Sequence, residues 1–124
     1  MKGEWEVGGA PEAHRQQSMS ISTHVLDART GRPAAGLDLT LARQAPGGWE
    51  ELSRRTTDAD GRVSDLAGEI TAGIYRIVFQ AEAYLAAETF YPEIVVVFRV
   101  TDPAARHHVP LLLSSFAYST YRGS

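Results

Sequence analysis

Hydrophobic and polar residues alternate along most of the chain with a period of two, which is the pattern of half-buried β-strands. In residues 21–26 the odd-numbered positions share one side and the even-numbered positions the other, because successive side chains of a strand point to opposite faces. The same alternation recurs in residues 37–41 and, most regularly, in residues 73–79. Turns rich in glycine, proline and aspartate separate these segments. The pattern predicts a fold built mainly of short strands.

Three further segments extend this prediction. Residues 49–56 follow a Pro-Gly-Gly turn and predict a return strand, while the alanine-rich residues 82–89 predict about two helical turns. Residues 94–100 are apolar on nearly both faces, which indicates a strand that is central or is covered by another subunit. About seven or eight short strands, one short helix and no alternation of strands with helices predict an all-β fold, an antiparallel β-sandwich.

The C-terminal region is expected to add two short strands, at residues 107–113 and 117–122. Pro110 has no amide to donate, so we expect it at a sheet edge or a bulge. The chain keeps strand character through Tyr118 and Tyr121, although most termini fray. Two interpretations are open: an edge strand that finishes a sheet, which physics alone favours, or a terminus that is docked into a site.

Composition limits the class of protein. With 124 residues, of which 44% are hydrophobic, the chain is expected to form one globular domain. It contains no cysteine, which excludes thiolate nucleophiles and cysteine-ligated zinc. A formal net charge of -3 and a single lysine argue against nucleic acid as a partner. The longest apolar run, residues 94–98, is too short for a membrane span, which takes about 20 residues.

The first residues differ in composition from the rest. Residues 1–18 contain several glycines and charges but no apolar stretch like that of a signal peptide. We expect this segment to be a disordered N-terminal extension and residues 19–124 to be the functional domain. Without a signal peptide or a peroxisomal ending, the expected location is the cytoplasm.

Four histidines are candidates for chemistry. His14 lies in the expected extension and is predicted to be inert. His24 falls on the more polar side of the first strand, where a lone histidine is most often structural but can also act in acid–base catalysis. His107 and His108 are adjacent in a strand and should point to opposite faces, so at most one belongs to any site. This geometry argues against a shared metal, and we expect no metal and no cofactor.

Arg62 follows the Asp60-Gly61 turn and is by default a solvated turn residue. A tight turn can also aim a guanidinium at a carbonyl oxygen or an anionic substrate. Sequence signatures of serine hydrolases, nucleotide-binding loops and metalloproteases do not occur.

Four stretches, taken together, resemble the 5-hydroxyisourate hydrolase family. They are STHVLD at residues 22–27, DGR at residues 60–62, HVPLLL at residues 108–113 and YSTYRGS at residues 118–124. The similarity runs in order over essentially the whole chain after the extension. The ending Tyr-Arg-Gly-Ser is the most specific element, because it separates these hydrolases from transthyretin, the hormone carrier with the same fold.

The resemblance implies a transthyretin-like β-sandwich of two four-stranded sheets. It also implies a homotetramer in which edge strands form dimers and a central channel holds active sites between subunits. The implied substrate is 5-hydroxyisourate, a product of urate oxidation, which is hydrolysed to 2-oxo-4-hydroxy-4-carboxy-5-ureidoimidazoline without a cofactor.

Position by position, the resemblance implies catalytic roles for His24, Arg62, His108 and Ser124. Substrate binding is implied for His24 and Arg62 together with Tyr121 and Arg122. A histidine would deprotonate water, Arg62 would stabilise an oxyanion and the other histidine would protonate the leaving nitrogen. Which histidine takes which role is open at this point.

Departures from the family pattern and rival functions complete the prediction. His107 replaces a usual tyrosine, Arg106 a usual histidine and Ala117 a usual glycine, so the wall near His108 and the last strand are expected to differ slightly. The strongest alternative is a non-catalytic carrier of a small aromatic ligand, with saturable binding and no turnover. A structural or adhesive module is a third alternative.

Overall fold

The computed structural model describes residues 21–86 and 89–123 of the chain. The expected extension, residues 1–18, lies outside these residues, and so does Ser124. The secondary structure elements of the described residues are β1 (Ile21–Asp27), β2 (Arg32–Pro33), β3 (Asp38–Ala45), β4 (Gly48–Thr56), β5 (Arg62–Val63), β6 (Gly73–Phe79), α1 (Ala81–Leu85), β7 (Ile94–Val100), β8 (His107–Leu113) and β9 (Tyr118–Thr120).

The strands form two sheets that enclose the core. One sheet has the order β2-β1-β8-β9, with the short strand β5 also paired to β1, and we call it the site sheet. The second sheet has the order β4-β3-β6-β7. These sheets confirm the predicted all-β sandwich with one short helix, and β5 adds a two-residue strand to the four of the site sheet.

One face of each sheet is buried between them. In β1 the odd-numbered residues are buried and the even-numbered residues only half-buried, as the alternation predicts. In β6 the buried side chains are Tyr75, Ile77 and Phe79, which also confirms the prediction. Each large apolar side chain removed from water stabilises the fold by about 1.5–3 kcal/mol before the entropy cost of ordering. This burial leaves Ser22 and His24 on the outer face of the site sheet.

One strand pair corrects the expectation of a wholly antiparallel sandwich. β1 and β8 are parallel and pair along their full length, from Ile21 opposite His107 to Asp27 opposite Leu113. The chain between them forms β2 and β5 of the site sheet and all four strands of the second sheet, and it returns to the end of the site sheet where β1 begins. Local alternation carries no information on the direction of so distant a partner, so the sequence could not predict this pair.

The position of Pro110 also differs from the expectation. Pro110 lies in β8, between β1 and β9 rather than at an edge. The ladder with β9 ends at Leu111 opposite Thr120 and resumes as a single bridge between His108 and Gly123. Because Pro110 has no N–H, the ladder is interrupted there, and its carbonyl accepts a hydrogen bond from the Thr120 hydroxyl at 2.7 Å instead.

The helix is shorter than the two turns predicted for residues 82–89. It ends at Leu85 because Ala86 adopts a left-handed conformation with φ of 52°, and the Ala86 N–H donates to the Glu82 carbonyl at 3.0 Å. Residues 87–88 lie outside the described residues. Ala81 and Leu85 are buried, so tertiary packing holds this single turn in place.

β7 is the edge strand of the second sheet. Its outward residues Val95 and Val97 are 42% and 57% exposed, so the apolar outer face predicted for residues 94–100 is present and uncovered in the single chain. In the part of the chain that the structure describes, no helix has the length and apolar character needed to cross a membrane.

Candidate active site

Three residues singled out in the sequence, His24, Arg62 and His108, meet on the outer face of the site sheet. They lie on the neighbouring strands β1, β5 and β8. Arg62 is directly opposite His24, and His108 is directly opposite Ser22, which precedes His24 on the same face of β1. Neighbouring strands are about 4.8 Å apart. The three side chains therefore project from one small area of the sheet.

A tight turn positions Arg62. The Asp58 carboxylate accepts hydrogen bonds from the backbone N–H groups of Arg62 and Asp60, both at 2.9 Å. The bond from Arg62 is the main reason that the pKa of Asp58 is lowered, which keeps this carboxylate charged. Gly61 has φ of 75°, and a Cβ there would overlap the carbonyl oxygen of Val25. Glycine is therefore required at the residue before Arg62.

His24 and Arg62 form a closely spaced cross-strand pair. The Val25 N–H donates to the Gly61 carbonyl at 2.7 Å, so the next pair along, His24 and Arg62, is the type without mutual backbone hydrogen bonds. In such pairs the two Cα atoms are about 4.5 Å apart and the side chains are at their closest. An imidazole and a guanidinium thus stand side by side on the sheet.

The imidazole of His108 is held from two directions. The Ser22 Oγ lies 2.8 Å from its Nδ1. From the other direction, the Gly123 N–H donates to the His108 carbonyl at 2.8 Å, and a Cβ on Gly123 would lie only 2.5 Å from the ring atom Cδ2. The C-terminal segment can therefore cross His108 this closely only because residue 123 is glycine.

The surroundings of His108 favour its neutral form. Burial is the main cause that lowers the pKa of His108 below 6.5, and the charges of Arg62, His24 and Arg106 lower it further. The imidazole is therefore uncharged at neutral pH and able to accept a proton.

A cavity of about 270 Å³ opens beside Arg62 and His108, and His24 is not one of its lining residues. Ser22, Arg62, Arg106 and His108 all line it. The sequence did not identify Ser22 as a site residue, although its position two residues before His24 on one strand face was a usable signal. In the sequence, Arg106 stands out only as a departure from the family pattern. In the fold it contributes a second guanidinium to the cavity, which makes the cavity suited to anionic groups.

Tyr121 and Arg122 line a neighbouring cavity of about 300 Å³, together with residues of β7 and β8. His108 borders both cavities. Within one chain, Tyr121 and Arg122 therefore line a different cavity from Arg62, and His108 is the lining residue that the two cavities share. Ser124, the remaining catalytic candidate, lies outside the described residues.

His107 points into the sandwich, away from His108. It is only 6% exposed, and its Nδ1 has no hydrogen-bond partner among the residues that the structure describes. The opposite orientation of the two adjacent histidines confirms the strand geometry predicted from the sequence. Within residues 21–86 and 89–123, no cluster of three histidine, aspartate or glutamate side chains is arranged to hold a metal ion.

The arrangement supplies the groups needed for hydrolysis of an amide-like bond. A neutral imidazole can deprotonate water, a second imidazole can protonate a leaving nitrogen, and a fixed guanidinium can stabilise an oxyanion. A model of the HIUase/Transthyretin family matches residues 21–123. The chain belongs to this family. Membership confirms the resemblance that the four sequence stretches indicate.

Relatives within the HIUase/transthyretin family include enzymes. The mouse (Mus musculus) protein named 5-hydroxyisourate hydrolase is 44% identical over 115 residues, which cover 87% of this chain and 98% of the relative. The structure of the Klebsiella pneumoniae 5-hydroxyisourate hydrolase aligns with a TM-score of 0.75 at 33% identity, over 84% of this chain and 98% of that one.

Transthyretin itself has the same fold. Sea bream transthyretin, solved in complex with thyroxine, aligns with a TM-score of 0.78 at 32% identity, over 84% of this chain and 94% of that one. The backbone comparison thus gives similar TM-scores to a 5-hydroxyisourate hydrolase and to a thyroxine-bound transthyretin, so the side chains of the site must separate the two functions.

Proposed function

We propose that this protein is a hydrolase of the urate degradation pathway, which converts 5-hydroxyisourate to 2-oxo-4-hydroxy-4-carboxy-5-ureidoimidazoline. The observation that carries the proposal is the convergence of His24, Arg62 and His108 on one face of the site sheet. A mouse relative of 44% identity that bears the name of this enzyme adds support. A carrier has no chemical need for two imidazoles and a guanidinium at one place.

In the proposed mechanism His108 is the general base. Its lowered pKa keeps the ring neutral, so Nε2 takes a proton from water while the water oxygen attacks the carbonyl carbon of the ring amide. Arg62 stabilises the negative charge that develops on the carbonyl oxygen. The carbon–nitrogen bond then breaks, and His24 gives a proton to the leaving nitrogen. The products of this step are a carboxylate and a ring-opened ureido group.

The C-terminal residues have supporting roles in this proposal. Tyr121 and Arg122 border His108 through the neighbouring cavity, and we assign them to substrate binding. For Ser124, the proposed role is to orient the attacking water, as the family resemblance implies. Deletion of Ser124 should lower kcat, and an unchanged kcat would remove this residue from the mechanism.

We also propose that the active unit is a homotetramer with sites between subunits. β7 and β9 end their sheets at the described edges, and Val97 and Tyr121 are 57% and 62% exposed in the single chain. Light scattering after size exclusion should give four times the chain mass of 13.5 kDa. Val97→Lys should reduce that mass, whereas Leu52→Lys, an exposed control on β4, should not. A monomeric parent protein would contradict the proposal.

The decisive experiment follows the ultraviolet decay of 5-hydroxyisourate, generated in place by urate oxidase. The parent protein should accelerate the decay beyond the spontaneous rate, and His24→Ala should lose most of the acceleration. His14→Ala is the matched histidine control and should retain it. Decay at the spontaneous rate with every protein would favour the carrier alternative, which thyroxine-binding measurements would then test.

A cytoplasmic location stays a prediction. Fractionation of the source cells, followed by detection of the protein with an antibody, would test it.

A further inference from the structure

Ser22 makes a contact that the proposed mechanism does not yet use. Its hydroxyl oxygen lies 2.8 Å from Nδ1 of His108, and the contact is partly buried. The parallel register of β1 and β8 places the two residues directly opposite each other on the outer face of the site sheet. The backbone of both strands is paired throughout this stretch, so the contact is built into the sheet and not into a loop.

The position of this contact on the ring determines what the rest of the imidazole can do. A neutral imidazole carries one proton, so one ring nitrogen donates and the other accepts. Nδ1 faces Ser22, and the backbone of Gly123 lies against the Cδ2 side of the ring. The ring edge that contains Nε2 is the remaining edge that can meet a water or a substrate.

We propose that Ser22 is a positioning residue for this hydrolysis: its hydroxyl oxygen accepts a hydrogen bond from Nδ1–H of His108, which leaves Nε2 unprotonated and able to receive the proton of the attacking water. The inference rests on the proposed function. It assigns a tautomer to the general base and a residue that maintains it.

The charges around His108 explain why its Nδ1–H needs a hydrogen-bond acceptor. Arg62 from β5, His24 from β1 and Arg106 before β8 all disfavour a positive charge on the ring, and Arg122 of the C-terminal segment borders it as well. When Nε2 takes the proton from water, the ring becomes positive. A hydrogen bond from Nδ1–H to an oxygen strengthens as the donor becomes charged, so Ser22 offsets part of this repulsion.

The opposite orientation, in which the hydroxyl donates to Nδ1, would give the ring different chemistry. Nε2 would then carry the proton and could not act as the base. In that orientation the Ser22 hydroxyl would also not accept a hydrogen bond from the ring when the ring becomes positively charged. The proposed orientation is therefore the one that is compatible with His108 as the proton acceptor.

Steady-state kinetics of Ser22→Ala and Ser22→Thr test the role. Ser22→Ala should lower kcat by about 10- to 100-fold, since small losses of geometry are costly in catalysis, and should leave KM nearly unchanged. The acid limb of its pH profile should move to lower pH, because the protonated ring has lost an acceptor. Ser22→Thr keeps the hydroxyl and should restore both kcat and the position of the limb. Parent kinetics in Ser22→Ala, or a loss of kcat without a shift of the limb or without rescue by threonine, would overturn the proposal.

Nitrogen NMR of histidine-labelled protein gives a readout that does not depend on turnover. The His108 signal, assigned by its absence in His108→Gln, should show a protonated Nδ1 and a bare Nε2 at neutral pH. A protonated Nε2 would overturn the proposal even if the protein is active. If the parent protein does not accelerate substrate decay at all, the hydrolase proposal fails, and the role of Ser22 fails with it.

Discussion

The backbone of Gly123 lies against the imidazole of His108 at a distance that excludes any side chain. A Cβ on residue 123 would be 2.5 Å from Cδ2 and 3.1 Å from Cγ of the ring. The same glycine donates its N–H to the His108 carbonyl at 2.8 Å, so the segment cannot withdraw without loss of that bond. The C-terminal segment and His108, the proposed base, are therefore held together by a close contact and a hydrogen bond.

Gly123→Ala should displace either His108 or the C-terminal segment. We expect kcat to fall by about 100-fold, since a shift of roughly 1 Å can cost that much in an active site. Stability should change by less than about 1 kcal/mol, because only the end of the chain must move. Enzyme kinetics and thermal unfolding measure the two effects. Ala117→Gly is the control, because Ala117 lies beside Ser114, at the end of β8 opposite to His108. A parent-like kcat in Gly123→Ala would contradict the prediction.

Arg62→Lys should separate charge from geometry at the proposed oxyanion site. Lysine keeps the positive charge but loses the planar fork that can hold a carbonyl oxygen in a fixed position. We expect kcat to fall by about 100- to 1,000-fold, the usual cost of an oxyanion donor, with a smaller effect on KM. Arg54→Lys on β4 is the matched control and should have parent kinetics. A kcat in Arg62→Lys equal to that of the parent would mean that charge alone is sufficient.

Much of the sandwich was predictable because its signals are local. Alternation identified the buried faces of β1 and β6, and the Asp60-Gly61 pair identified the turn before Arg62. The limit of the helix at Leu85 was not predictable, since the left-handed conformation of Ala86 is not one that alanine prefers by itself.

The way in which the site residues come together was harder to predict from the sequence. His24 and His108 could be named from their motifs, but the parallel pairing of β1 with β8 brings Ser22 to Nδ1, and no local pattern encodes that pairing. The closeness of Gly123 to His108 likewise depends on the antiparallel register between β8 and the C-terminal segment, which is the same at the pair Leu111–Thr120 and at the bridge His108–Gly123. Long-range register, rather than residue type, was the missing information.

Arg106→Ala should change both substrate affinity and the pH profile. Arg106 lines the same cavity as Arg62, and its charge helps to lower the pKa of His108. Without that charge the pKa of His108 should rise toward 6.5, so the acid limb of kcat/KM should move to higher pH. KM should rise about two- to fivefold, the effect of losing up to about 1 kcal/mol of charge interaction.

Arg106→Lys is the matched control, because it retains the charge and should keep the limb close to its parent position. If the acid limb of the kcat/KM profile stays at its parent position in Arg106→Ala, the charge of Arg106 does not affect the pKa of His108. A limb that moves to lower pH would contradict the sign of the prediction.

Asp27, at the end of β1, lies outside the site and stabilises the fold. Its carboxylate is 1% exposed and accepts hydrogen bonds from the Nη2 of Arg29 and the hydroxyl of Tyr84, both at 2.9 Å. The hydrogen bond from Arg29 is the main cause that lowers the pKa of Asp27 below 3.8. A carboxyl group with a lowered pKa stabilises the folded state fully above pH 3.8, and this contribution is lost as the pH falls through the lowered value.

Asp27→Asn should therefore reduce the free energy of unfolding by about 1–3 kcal/mol at neutral pH, the usual cost of a lost hydrogen bond to a charged group. The difference from the parent protein should shrink in acid, because protonation of Asp27 removes the same interaction in the parent. Urea unfolding at neutral and acid pH measures both values. Glu51→Gln removes an exposed ion pair with Arg54 and should cost less than about 1 kcal/mol. A difference that grows in acid would show that the Asp27 carboxylate does not stabilise the fold through its charge.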